Sequence, residues 1–156
     1  MKKICYNTLL YMLLILNAYF VNSQTKEDDV KNFIKEFYTN YSIEYSKSTI
    51  WPEFLSELDS LCQIYCTNRF QSEFRELCAK GTDHDIFTGD FGMDPEDIQT
   101  INIEGDTLFP NRYLLTYTTK ISSPASKYEL IEEKIILYIA IKNENGYYKI
   151  DDIELK

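Results

Sequence analysis

The sequence has few of the residues that build metal and redox sites. Histidine occurs once, at His84, and Cys62, Cys66 and Cys78 include no Cys-x-x-Cys pair. A structural zinc site usually needs four such ligands in closely spaced pairs. We therefore predict no zinc site and no cofactor, and we assign no metal ligands from these residues. If the segment that contains Cys5 is removed on export, as predicted below, three of the four cysteines remain. In an oxidising compartment this odd number leaves at least one thiol without a partner in the chain.

Positive charge is also scarce. Lysine and arginine number 16 against 25 aspartates and glutamates, which gives a formal charge of −9. Such a chain repels the phosphates of nucleic acids and anionic lipid surfaces, so both are excluded as partners. A basic protein or a cation would be attracted. The same charge also keeps a protein in solution without serving any partner.

No apolar run in the sequence is long enough to span a bilayer comfortably. A short apolar run at residues 9–16 follows Lys2 and Lys3, and Val21-Asn22-Ser23 comes after it. This order is typical of a secretory signal peptide. We predict a signal peptide at residues 1–23, cleavage before Gln24, and a single exported domain at residues 24–156. The mature protein would be periplasmic or secreted, without a stable membrane anchor.

The first half of this domain has helical periodicity. Apolar residues recur every three or four positions from Val30 to Tyr45, which predicts a helix with one buried stripe. A second helix is predicted from Pro52, because the fixed φ of proline suits the first turn. Thr67 is the expected cap of a third helix, which ends near Lys80-Gly81.

The second half alternates with period two. Alternating apolar residues at 101–103, 113–117 and 135–141 predict three strands, and Asn143–Gly146 predicts a turn into a fourth strand from Tyr147. The third strand is apolar on both faces, so we place it in mid-sheet. Helices followed by strands indicate the α+β class: three N-terminal helices packed on a curved antiparallel sheet of about four strands.

Three segments carry a resemblance to a known family. They are the ending Asn145-Gly146-Tyr147-Tyr148-Lys149-Ile150-Asp151-Asp152-Ile153, the junction Tyr65-Cys66-Thr67, and Asp83-His84-Asp85. From about Val30 to Ile153 the chain resembles a secreted bacterial domain family of unknown function in the nuclear-transport-factor-2-like, or cystatin-like, superfamily. The resemblance implies a cone-shaped α+β domain. Enzymes of that superfamily place an Asp or His inside the cone as a general base, and the predicted strands offer no matching residue.

An acidic loop lies between the helices and the strands. Its candidate functional residues are Asp83, His84, Asp85 and Asp90. Clustered carboxylates suit a hard cation such as Ca²⁺, although the spacing does not fit the twelve-residue calcium loop. His84 between two aspartates also suits an oriented acid or base. A third interpretation is that these aspartates cap turns, while Phe87 and Phe91 hold the loop on the core.

Three functions follow as hypotheses. The first is an exported non-enzymatic module that holds an unknown small molecule or protein in an aromatic concavity. The second is an inhibitor or immunity-type protein whose acidic loop covers a basic partner. The third is a small lyase, isomerase or hydrolase that uses the acidic loop. For the first, the expected lining residues are Tyr38, Tyr41, Trp51, Tyr65, Tyr113 and Tyr117.

Overall fold

The computed structural model describes residues 26–47, 50–80, 85–89, 91–123 and 126–156, with only the backbone for Trp51 and residues 126–128. The predicted signal peptide and its cleavage point before Gln24 lie outside these residues. The chain divides into two compact units, Met1–Asn32 and Phe33–Lys156. In the first unit residues 26–32 are helical, and an ion pair of 2.7 Å joins Glu27 to Lys31.

In the described part of the chain, no helix has both the length and the apolar character needed to cross a membrane. That residues 24–156 form a single domain stays a prediction.

The second unit begins with three helices. We call them α1 (residues 33–47), α2 (Trp51–Tyr65) and α3 (Asn68–Ala79). Pro52 lies in the first turn of α2, and the Thr67 side chain caps α3 by accepting a hydrogen bond from the Phe70 amide at 3.3 Å. These starts confirm the predicted ones.

The apolar stripes of the helices face the core. The buried residues share the predicted spacing of three and four: Ile34, Phe37, Tyr38 and Tyr41 on α1; Phe54, Leu58, Leu61, Cys62 and Tyr65 on α2; Phe70 and Phe74 on α3. Phe33 and Leu77, at the margins of their stripes, are half-buried. All three cysteines of the second unit are free thiols, with Cys62 and Cys66 buried and Cys78 half-buried.

A four-stranded antiparallel sheet follows, in the order β1-β2-β3-β4. The strands are β1 (Asn102–Gly105), β2 (Arg112–Ser123), β3 (Ser126–Glu144) and β4 (Tyr147–Leu155), after a short 3-10 helix at Asp97–Thr100. All four strands were predicted, and β3 lies in mid-sheet as its two apolar faces indicated. The α+β class is confirmed.

One face of the sheet completes the core. Its buried side chains alternate along the strands: Leu115 and Tyr117 on β2; Ile135, Leu137, Ile139 and Ile141 on β3; Ile150 on β4. Both α2 and α3 contact β4, so the helices cover this face. Burying such a face is what holds an antiparallel sheet and a helical layer together.

Two local features position the β3–β4 hairpin. Its turn residues Asn145 and Gly146 both have positive φ (55° and 90°), as the tight turns that match strand twist require. A bulge in β4 leaves Asp151 opposite no residue of β3. The Asp151 carboxylate accepts hydrogen bonds from Thr67 Oγ1 at 2.8 Å and Lys142 Nζ at 2.9 Å. This carboxylate therefore fastens the start of α3 to the sheet.

Candidate functional site

Asp85, one of the predicted site residues, points into the protein. Its side chain is buried, and its Oδ2 atom accepts hydrogen bonds from the Tyr41 hydroxyl and from Thr88 Oγ1 (2.8 Å). Its Oδ1 atom accepts one from the Phe87 amide at 2.9 Å. A buried carboxylate requires such donors because removing it from water is costly. The arrangement is a local turn closed by an aspartate and fixed to α1.

Two other tyrosines hold the same loop. The Tyr38 hydroxyl donates to the Phe87 carbonyl oxygen at 2.9 Å, and the Tyr117 hydroxyl donates to the Gly92 carbonyl oxygen at 2.8 Å. Burial raises the pKa of both hydroxyls well above the usual value, and the nearby Asp85 carboxylate raises them further. They therefore stay protonated and act as donors.

These contacts test the three interpretations of the acidic loop at Asp85. Asp83, His84 and Asp90 lie outside the described residues, so the cation and acid–base interpretations stay predictions for them. Asp85 behaves as the turn-capping interpretation requires. Phe87 is completely buried, with ring centroids 5.4 Å from Phe37 and 5.5 Å from Phe74. Among the described residues, no group of three or more His, Cys, Asp or Glu side chains is placed to hold a metal ion.

An open groove lies beside the β3–β4 hairpin. We call it the hairpin groove; its volume is about 550 Å³, and it is lined by Phe33, Glu36, Ile64, Tyr65 and the hairpin residues Glu144, Asn145, Gly146, Tyr147, Tyr148 and Lys149. One wall comes from α1 and the end of α2, and the other from the hairpin. Four aromatic rings and three charged groups thus surround one concavity.

Aromatic contacts give the groove its floor. The Phe33 ring lies 5.7 Å from the Tyr65 ring and 6.1 Å from the Tyr148 ring, both tilted. The Tyr65 hydroxyl donates to Glu36 Oε1 at 2.8 Å and accepts from Asn40 Nδ2 at 2.7 Å. Burial, followed by the Glu36 carboxylate, raises the pKa of Tyr65. The Tyr65 ring is therefore fixed, which gives the groove a preformed surface.

The C-terminal end of α2 reaches the groove. Lys149 Nζ donates a hydrogen bond to the carbonyl oxygen of Ile64, in the last turn of α2. The last carbonyls of a helix have no intrahelical partner and carry partial negative charge. No basic side chain of α2 itself lies in that turn. The ammonium of Lys149 thus supplies the cation that this helix end favours.

The structure separates the predicted aromatic residues into two places. Tyr38, Tyr41 and Tyr117 are at most 1% exposed, and their hydroxyls are bonded to the loop, so they belong to the core. Tyr113 is half-buried on β2, and the side chain of Trp51 lies outside the described part. Among the predicted aromatic residues whose side chains the structure describes, only Tyr65 lines the hairpin groove.

Sequence reasoning missed the rest of this groove. One signal was present: Tyr147 and Tyr148 are consecutive in a strand, so their side chains leave opposite faces of the sheet and cannot both enter one core. Tyr147 is 72% exposed in the structure. A strand with adjacent tyrosines directly after a tight turn therefore indicates an exposed aromatic surface.

A solved structure resembles this chain. It is a protein of unknown function from Bacteroides thetaiotaomicron VPI-5482, with 25% sequence identity and a TM-score of 0.69. The match covers 89% of this chain and 98% of that chain. No protein-family model and no curated protein matches the chain. The likeness supports the α+β architecture and carries no activity.

Proposed function

We propose that this chain is an exported, non-enzymatic binding module that holds its partner in the hairpin groove. The single observation that carries the proposal is the groove itself, a preformed concavity of about 550 Å³ with aromatic walls. Binding sites are typically concave, mostly apolar and largely preformed, with a few polar groups that fix orientation. Glu36, Glu144 and Lys149 supply such polar groups here.

The exposed rims of the groove support the same proposal. Ile64 is 61% exposed and Tyr147 is 72% exposed, on opposite walls. Large apolar side chains gathered around one concavity favour an interaction site, whereas scattered ones need no explanation. Neither side chain contributes to the core, so their placement here is not required for folding.

We also propose that the fold is a nuclear-transport-factor-2-like cone. Helices on one face of an antiparallel sheet, a central strand of 19 residues and a bulge in β4 support this. Bulges and long twisted strands are what curve a sheet around a concavity.

The proposal that the protein is exported rests on the N-terminal sequence pattern. N-terminal sequencing of the mature protein tests it: Gln24 is the expected first residue, and an intact Met1 would contradict it.

Binding at the groove is tested with a fragment screen followed by amide chemical shifts in NMR spectra. The screen should contain neutral, cationic and anionic aromatic fragments at millimolar concentration. At least one class is expected to shift the amides of Tyr65 and Tyr147–Lys149 in a saturable way. Tyr147→Ala should weaken that binding without changing the melting temperature, because the ring is exposed. Shifts that cluster elsewhere, or none at all, would disprove the proposed site.

A further inference from the structure

We infer that the hairpin groove takes an arginine or lysine side chain carried on an extended segment of another protein. This inference rests on the proposed function and names the partner of the same site. It follows from three features of the groove: its charge, its rings and the exposure of its rims.

The charge of the groove is net negative. Among the lining residues that the structure describes, Glu36 and Glu144 stand on opposite walls, and Lys149 is the cation. The Lys149 ammonium already donates a hydrogen bond to the Ile64 carbonyl oxygen, and the Glu36 carboxylate accepts a hydrogen bond from the Tyr65 hydroxyl. Glu144 is exposed and has no ion pair with a described residue. The whole chain adds a formal charge of −9, which steers a basic partner toward the groove.

The rings favour the same type of group. A cation over the face of an aromatic ring is attracted by the ring's negative face. The chain already makes this contact at another place, since the Arg112 guanidinium lies 3.9 Å from the Phe109 ring centroid and 4.6 Å from that of Tyr138. In the groove, Tyr147 and Tyr148 offer rings beside Glu144. A planar guanidinium stacks on such rings and also pairs with a carboxylate.

The rims favour a protein segment over a free small molecule. Small-molecule sites typically enclose most of the ligand surface. Here, Ile64 and Tyr147 remain more than half exposed on the two walls. An open channel with apolar rims suits a chain that enters and leaves, with one basic side chain in the centre and apolar contacts on both sides.

The experiment uses three synthetic probes with the full mature chain. The first is a blocked tripeptide with arginine between two glycines. The second replaces that arginine with citrulline, which has the same shape without charge, and the third is propylguanidinium, which has the charge without a backbone. Isothermal titration and amide shifts report affinity and location. We expect the arginine peptide to bind at the groove about fivefold or more tightly than either of the others.

Substitutions of the two groove carboxylates test whether their charge contributes to binding of the arginine peptide. Glu36→Gln and Glu144→Gln should each weaken the arginine peptide by about threefold, and added salt should weaken it further. Glu57→Gln is the matched control, because it removes the same charge from an exposed position on α2 outside the groove. The affinity of the Glu57→Gln variant for the arginine peptide should equal that of the wild type.

Each other outcome overturns a defined claim. Equal binding of the citrulline peptide would reject the cationic class, and stronger binding of propylguanidinium would reject the protein segment. A loss with Glu57→Gln equal to that with Glu144→Gln would reject the groove as the place where charge acts. If neutral fragments shift the groove amides while the arginine peptide does not, the inference fails and the proposed function stands. If no probe or fragment shifts them, both fail.

Discussion

Asp85 is a carboxylate inside the protein, and its donors determine whether the loop that carries it can stay folded. The Tyr41 hydroxyl, Thr88 Oγ1 and the Phe87 amide all point at it. A buried acceptor that loses a donor costs more than the bond itself contributes, because its desolvation is no longer offset. The residue is therefore structural in its described contacts, although the sequence alone made it a candidate for chemistry.

Tyr41→Phe tests this role. The substitution keeps the ring and removes the hydroxyl that donates to Asp85, so we expect a loss of about 1–3 kcal/mol in the free energy of unfolding. Chemical denaturation monitored by circular dichroism measures it. Tyr147→Phe is the control: its ring is 72% exposed, and a change within about 0.5 kcal/mol is expected. Equal effects of the two substitutions would show that the Asp85 contact contributes nothing.

Asp85→Asn extends the same test. The turn-capping interpretation predicts a nearly neutral substitution, because asparagine caps turns about as well as aspartate. Burial changes this expectation, since an amide nitrogen would face two hydroxyls that now donate to a carboxylate. We therefore expect a loss of about 1–2 kcal/mol. A saturable rise of the melting temperature with Ca²⁺ in the wild type, absent in Asp85→Asn, would contradict the structural role.

At the scale of elements, periodicity predicted the helices and the core parts of the strands. It missed the first half of β3, residues 126–134, and the last part of β2. The reason is visible in the pairing: β1 covers β2 only at residues 113–116, and β4 covers β3 only at residues 137–144. Beyond them β2 and β3 pair only with each other, and residues 132–134 of β3 are all exposed. A stretch of consecutive exposed residues has no alternation to detect.

Leu137 is the element-scale test of the sheet. Its side chain is completely buried on the central strand, opposite Leu115 of β2 and Leu155 of β4. Truncation by Leu137→Ala should cost about 2–5 kcal/mol, through lost burial and the cavity left behind. Leu130→Ala on the same strand is the control, since Leu130 is 64% exposed and should change stability by less than about 0.5 kcal/mol. A cost below about 1 kcal/mol for Leu137→Ala would contradict its central position.

At the scale of the molecule, the groove was harder to predict than the fold. The sequence identified tyrosine as the residue of interest, yet Tyr38 and Tyr41 enter the core while Tyr147 and Tyr148 line a surface. Tyrosine suits both environments, because it combines a large apolar body with a polar tip. Which environment it enters depends on helices and strands far apart in sequence, such as α1 and the hairpin.

The buried tyrosines also make the whole molecule sensitive to alkali. Burial raises the pKa of Tyr38, Tyr41 and Tyr117 above the ordinary value of about 10. Above that pH the unfolded chain releases these protons and the folded chain keeps them, so the folded state binds more protons and its stability falls as pH rises. Three such groups give a slope of roughly 4 kcal/mol per pH unit until the folded groups ionise.

We therefore expect cooperative unfolding at alkaline pH. In a pH titration, tyrosinate absorbance and circular dichroism are followed together. The buried rings should ionise only as the dichroism signal is lost, because their ionisation and unfolding are one event. If Tyr38, Tyr41 and Tyr117 ionised near pH 10 with the fold intact, their hydroxyls would be in contact with water, which would contradict their burial in the core.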